Sequence, residues 1–150
     1  MKLSHQILPK SIFPIFNFLI VIFLFTSCQD EETTLRQQYF SIGRMIYQDK
    51  CANCHQQNGN GLGQIYPPLN NSDYFLNEPV KTACVIKYGT SEEITVNGKN
   101  FNQEMPNNQE LSAIQIAQLI TYIGNAWENK GENRLVSKEE VSRVLKDCNK

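Results

Sequence analysis

The sequence predicts an all-α domain with one small hairpin and an additional C-terminal helix. Three observations carry that expectation. Apolar residues recur at helical spacing in three long stretches, and two of these open on a serine followed three residues later by Gln or Glu. One short alternating stretch is centred on Asn-Gly, the dipeptide that best favours a two-residue hairpin turn. Between them lies a loop rich in Gly, Asn and Pro, with no period of its own.

In chain order, residues 1–27 come first. Lys2 and Lys10 precede the apolar run "SIFPIFNFLIVIFLFTSC", which Pro14 and Asn17 interrupt. It falls short of the roughly 20 apolar residues a membrane span needs and fits a secretory signal peptide. "LFTSC" resembles a bacterial lipobox, with small residues before a cysteine that becomes lipidated, so Cys28 is the expected mature N-terminus. Phe25 departs from the usual aliphatic residue there, and an uncleaved N-terminal anchor is the competing reading. Either way the remaining chain is expected outside the cytoplasm, tethered to a bacterial membrane on its periplasmic face or at the cell surface. Residues 28–34 read as the lipidated end and a polar leash. Its acidic run is plain solvation, or resembles a surface-export tag of some Gram-negative lipoproteins.

The domain is expected over residues 35–150. Leu35, Tyr39, Ile42, Gly43, Ile46 and Tyr47 share one helical face ending near Lys50. "QQNGNGLGQIYPPLNN" is an irregular loop, Pro79 opens a short helix, and Gly89 closes it after Tyr88. "ITVNGKNF" is the hairpin. Ser112 and Gln115 form a capping box for a helix whose stripe is Ile116, Leu119, Ile120, Ile123 and Trp127. Ser137 and Glu140 cap the last helix, which buries Val141, Val144, Leu145 and Cys148. Of the 14 basic side chains, 12 remain after Lys2 and Lys10 leave, against 15 acidic ones. No basic stripe exists, which argues against nucleic acid as a partner.

The chemistry concentrates in "CANCH", residues 51–55, where Cys51, Cys54 and His55 stand together. A structural zinc site wants four ligands, usually with a second close pair, and none is present. A thioredoxin-like dithiol needs a βαβ setting, whereas this motif follows a helix and precedes a glycine-rich loop. C-x-x-C-H is the attachment signature of c-type haem. Two thiols add to the two vinyl groups along one porphyrin edge, and the next residue directs an imidazole at the iron. The chain's other histidine, His5, leaves with the signal peptide. Met45 lies on the helix leading into the motif, where packing or exposure is its expected fate. Met105, directly before Pro106, lies 50 residues beyond His55, far enough to wrap the haem and meet the opposite face. Two cysteines are left, Cys84 and Cys148. Cys84 follows Val80 by four residues and Cys148 follows Val144 by four, so both face inward in an oxidising compartment. A Cys84–Cys148 disulfide is expected, with two buried free thiols as the alternative.

Residues 35–127 resemble the class I, mono-haem cytochrome c family, here in lipoprotein form. "IGRMIYQDKCANCH" matches the family's glycine-bearing helix leading into its attachment motif, through Gly43 and Tyr47. The resemblance implies that Pro67 in "YPPL" accepts the axial histidine's ring N–H and that Leu69 packs on the haem. It implies His55 and Met105 as iron ligands, and a helix crossing through Leu119 and Tyr122. The helix at residues 137–148 is an extension beyond the smallest members. The implied fold is cytochrome c-like around one covalent haem c, and the implied function is single-electron transfer between respiratory redox proteins, a dehydrogenase on one side or a reductase or oxidase on the other. A haem subunit of a periplasmic dehydrogenase is the first alternative. A haem enzyme or ligand sensor is the second; against it, the mature chain has no distal histidine for acid–base work, so no enzyme activity is expected.

Overall fold

The computed structural model describes residues 31–129, 131 and 134–148. Cys28 and the expected signal peptide lie outside the described residues. The chain divides into two units, Met1–Thr33 and Thr34–Lys150, and the second contains the C-x-x-C-H motif. Among the described residues no helix is long and apolar enough to cross a membrane.

Helix α1 runs Glu31–Lys50. The leash expected over 28–34 is corrected by this, because residues 31–34 are already helical. Glu31 and Glu32 sit in the first described turn, where negative charge complements the positive end of a helix dipole. A single turn, α2 (Ala52–His55), follows, then a long loop. Helix α3 (Asp73–Asn77) was not anticipated; Ser72 caps it by accepting from the Phe75 backbone N–H at 3.3 Å. Helix α4 is Thr82–Tyr88, three residues shorter than expected from Pro79. Gly89 ends it in a left-handed conformation with φ 74°, its N–H returning to the Val85 carbonyl at 2.8 Å.

Strands β1 (Ile94–Val96) and β2 (Lys99–Phe101) pair antiparallel, Ile94 opposite Phe101 and Val96 opposite Lys99. The turn between them has φ 50° at Asn97 and 73° at Gly98, the double positive that a right-twisted two-residue hairpin requires. Asp73 and Asn97 exchange backbone-to-side-chain hydrogen bonds at 3.0 and 2.7 Å, which pins the hairpin to the start of α3.

Helix α5 (Ala113–Asn125) carries the core. Ser112 and Gln115 form the expected capping box, the Ser112 backbone N–H donating to Gln115 Oε1 at 2.9 Å. Ile116, Leu119, Ile120 and Ile123 are buried, and each such side chain contributes roughly 1.5–3 kcal/mol when fully removed from water. Trp127 lies past the helix end with φ 54°. Helix α6 (Lys138–Asp147) packs on α5 and α4, capped by Ser137 and Glu140. Cys84 and Cys148 are joined as a disulfide, with Cα atoms 5.6 Å apart.

Helices α1 and α5 meet at Gly43. A Cβ there would stand 2.0 Å from the Gln118 carbonyl oxygen and 2.8 Å from Tyr122 Cβ, so only glycine allows this approach. Around it Phe40, Tyr47, Tyr122 and Trp127 stack edge-on or tilted, with ring centroids 5.1–5.6 Å apart.

Candidate haem-binding site

The crossing of α1 and α5 places the attachment motif. The Cys51 N–H continues α1 by donating to Tyr47 O at 2.9 Å, and the His55 N–H donates to Cys51 O at 2.9 Å. One helical turn therefore puts Cys51, Cys54 and His55 at i, i+3 and i+4, on a common face. Gln56, with φ 64°, breaks the turn, and its carbonyl accepts the buried Tyr47 hydroxyl at 2.6 Å.

His55 is buried, and its Nδ1–H donates to the Pro67 carbonyl at 2.9 Å. Burial lowers its pKa, while the Pro67 bond acts the other way. The ring is thus held neutral in one tautomer, with the Nε2 lone pair available to a metal. Cys51 is buried as well, which pushes its thiol up to about 12, with smaller contributions from Cys54 and Asp49. Cys54 is half-buried.

Cys51 and His55 wall an apolar cavity, the kind of concave, mostly apolar site that cofactors occupy. Leu69, Phe75, Val96 and Leu119 line it together with Cys51, His55 and Met105. A second, adjoining pocket reaches Cys54, Tyr66 and Pro106 and shares His55, Pro67 and Met105 with the first. Met105 is held by a two-way backbone pair with Thr90, at 3.0 and 2.9 Å. That pairing needs Gly89, since a Cβ there would lie 2.4 Å from the Met105 carbonyl oxygen. Met45, by contrast, is 68% exposed on α1.

The structure thus brings Cys51, Cys54, His55, Pro67, Leu69 and Met105 to the walls of these two adjoining pockets. Cys84 and Cys148 are not among their lining residues. Phe75, on the unanticipated α3, and the buried Asn129 behind the loop were missed by sequence reasoning. Ser72, a helix-capping type three residues before an aromatic, was the available signal for the first; none announced the second. Among the described residues no three His, Cys, Asp or Glu side chains converge as a metal site. Two thiols, one oriented imidazole, one thioether and apolar walls fit a flat iron macrocycle tethered along one edge.

Comparison with known proteins decides the family. The cytochrome c family model matches residues 40–127, more than half of the chain. The chain belongs to the cytochrome c family. This cytochrome c is similar to cytochrome c-552 of Thermus thermophilus, 34% identical over 89 residues, or 57% of this chain and 67% of that one. It also matches the cytochrome c subunit of a quinone alcohol dehydrogenase from Gluconacetobacter polyoxogenes, 32% identical over 90 residues, covering 59% of this chain but 19% of that subunit. The corresponding Gluconobacter oxydans subunit is 26% identical over 106 residues, covering 69% of this chain and 22% of its own length. The chain therefore spans about two thirds of the first relative and about a fifth of the dehydrogenase subunits. As a cytochrome c it binds haem c covalently and transfers electrons.

Proposed function

We propose that this cytochrome c holds one haem between His55 and Met105, is anchored to a membrane through a lipidated Cys28, and relays single electrons between redox proteins outside the cytoplasm. The observation that carries the electron-carrier reading is the placement of His55 and Met105 on the walls of one cavity, each tied to backbone. When bound, the haem iron supplies a one-electron couple. Cys51 and Cys54 are the attachment thiols. His55 would offer Nε2 to the iron while Nδ1–H rests on Pro67, and the Met105 thioether would serve as its second protein ligand, a donor that favours the ferrous state relative to stronger ones. Leu69, Phe75 and Leu119 line the cavity and would keep water from the haem. With both ligands supplied by the protein, the iron would keep no open site for a substrate. Electrons exchange through the edge near Cys54 and Pro106, where Cys54 is half-buried and Pro106 exposed.

Met105→Ala tests this directly. The variant is expected to lose the ferric thioether charge-transfer band, fall in potential and bind carbon monoxide when reduced, with haem still attached. If the wild-type ferrous protein already binds carbon monoxide rapidly and stoichiometrically, the sixth site is open and a sensor or enzyme replaces the carrier.

The anchor rests on the apolar run ending in "TSC". Stable attachment normally needs more than one acyl chain, which a multiply acylated Cys28 supplies. Mass spectrometry of the membrane fraction is expected to find an acylated Cys28 terminus, and an unprocessed Met1 terminus refutes it. A second reading, a haem subunit of an extracytoplasmic dehydrogenase, is favoured by the likeness to dehydrogenase cytochrome c subunits. Co-purification as a stable complex with a catalytic subunit would select it over the free carrier.

A further inference from the structure

We propose that Asn129 is a positioning residue for the axial histidine, acting through the loop that carries Pro67; this rests on the reading of His55 as an iron ligand. Pro67 and Pro68 have no backbone N–H, so the stretch that presents the acceptor carbonyl cannot tie itself down with its own donors. It is held from its flanks. Upstream, Leu62 and Tyr66 exchange backbone bonds at 3.0 and 3.3 Å. Downstream, Leu69 and Asn70 donate to Gly59 O at 2.7 and 2.8 Å.

The rest of the downstream hold comes from the segment after α5. Asn129 is 5% exposed and spends its whole amide there. Its Nδ2 donates to Leu69 O at 2.9 Å and to Ile123 O at 2.7 Å, and its Oδ1 accepts from Asn71 N–H at 2.5 Å. Two donors and an acceptor on one planar group bridge α5 to both sides of Asn70, a set that no apolar or singly functional side chain supplies. Asn71 sits at φ 54°, a conformation that needs such an external hold. Two neighbours reinforce it: Trp127 Nε1–H donates to Gln57 O at 3.2 Å and Glu128 N–H to Asn70 Oδ1 at 3.0 Å. Leu69 is two residues from the Pro67 carbonyl that accepts the His55 ring proton at 2.9 Å. Asn129 therefore sets the distance and direction of that bond without touching the haem. A tight bond there makes the imidazole a stronger donor and favours ferric iron. Loosening it favours ferrous iron.

The test uses the holoprotein and two readouts, the reduction potential and the solvent-exchange rate of the His55 ring proton by NMR in the ferrous state. Asn129→Ala is expected to speed that exchange by about tenfold or more and to shift the redox equilibrium roughly three- to tenfold toward ferrous, about 30–60 mV at 59 mV per decade. Asn125→Ala is the control. Asn125 donates to Thr121 O and Arg134 O at the same helix end and makes no bond to the loop, so its loss lowers stability and moves neither readout. If Asn129→Ala loses stability but keeps wild-type potential and exchange, the residue only stabilises and the proposal is overturned. Should Asn129→Ala fail to assemble, Asn129→Ser, with one donor and one acceptor, decides by the same readouts: intermediate shifts support the proposal and wild-type values overturn it. A wild-type ferrous protein with no protected His55 ring proton overturns the axial assignment itself, and the proposal with it, before any variant is compared.

Discussion

Substituting Gly43 sets two opposed effects against each other, and the structure says which wins. In an exposed helix interior Gly→Ala stabilises by about 1 kcal/mol, because glycine loses more backbone freedom on folding. At Gly43 the new Cβ would lie 2.0 Å from the Gln118 carbonyl oxygen and 2.7 Å from its carbon. Real Cβ contacts are essentially never under 3.0 Å, so α1 and α5 must separate by at least the missing 1.0 Å. The obstructing atoms are backbone on a buried helix, so no side chain can rotate out of the way. Separation would also loosen the four-ring cluster of Phe40, Tyr47, Tyr122 and Trp127. Overpacking of this kind costs about 1–3 kcal/mol and more when backbone must move. With the propensity gain deducted, Gly43→Ala is expected to destabilise by about 2 kcal/mol, a fall in Tm of roughly 8 °C for a domain of this size. Urea and thermal unfolding of the holoprotein measure it, with Met45→Ala on the exposed face of α1 expected within about 0.5 kcal/mol of wild type. A Gly43→Ala protein as stable as wild type, or more so, would show that the helices do not meet there.

Other parts of the domain give two more expected outcomes. Breaking the Cys84–Cys148 bond, which spans 64 residues, should cost about 4 kcal/mol by the chain-entropy account; alkylating native wild-type protein without reductant should leave both residues unmodified, and finding them modified refutes the bond. Glu140 has a depressed pKa, chiefly through the Ser137 backbone N–H that it accepts. Its contribution is therefore fully present above the unfolded value near 4.5 and is lost as pH falls through the lower folded value. Glu140→Gln should cost no more than about 1 kcal/mol at pH 7. The difference from wild type should close below about pH 4.5 in paired denaturation curves.

What the sequence determined by itself was local chemistry. "CANCH" carries two thiols and an imidazole on one turn, Asn97-Gly98 adopts the positive φ values its residue types favour, and Gly89, Ser112 and Ser137 mark helix ends where expected. Each depends on neighbours within about four residues, so residue type and spacing suffice. The Pro67 carbonyl was legible only through family resemblance, since nothing in "YPPL" alone says which carbonyl meets a histidine 12 residues earlier. The start of α1 at Glu31 escaped because a polar stretch has no apolar period, although its acidic first turn tolerates helix. Tertiary structure alone decided the role of Asn129. Its partners Leu69 and Asn71 lie 60 and 58 residues away, and an asparagine beyond a helix end reads as ordinary loop until the fold brings carbonyls to it. A buried amide must find its partners wherever the packed backbone leaves them, and that geometry exists only once α5 has crossed α1 at Gly43.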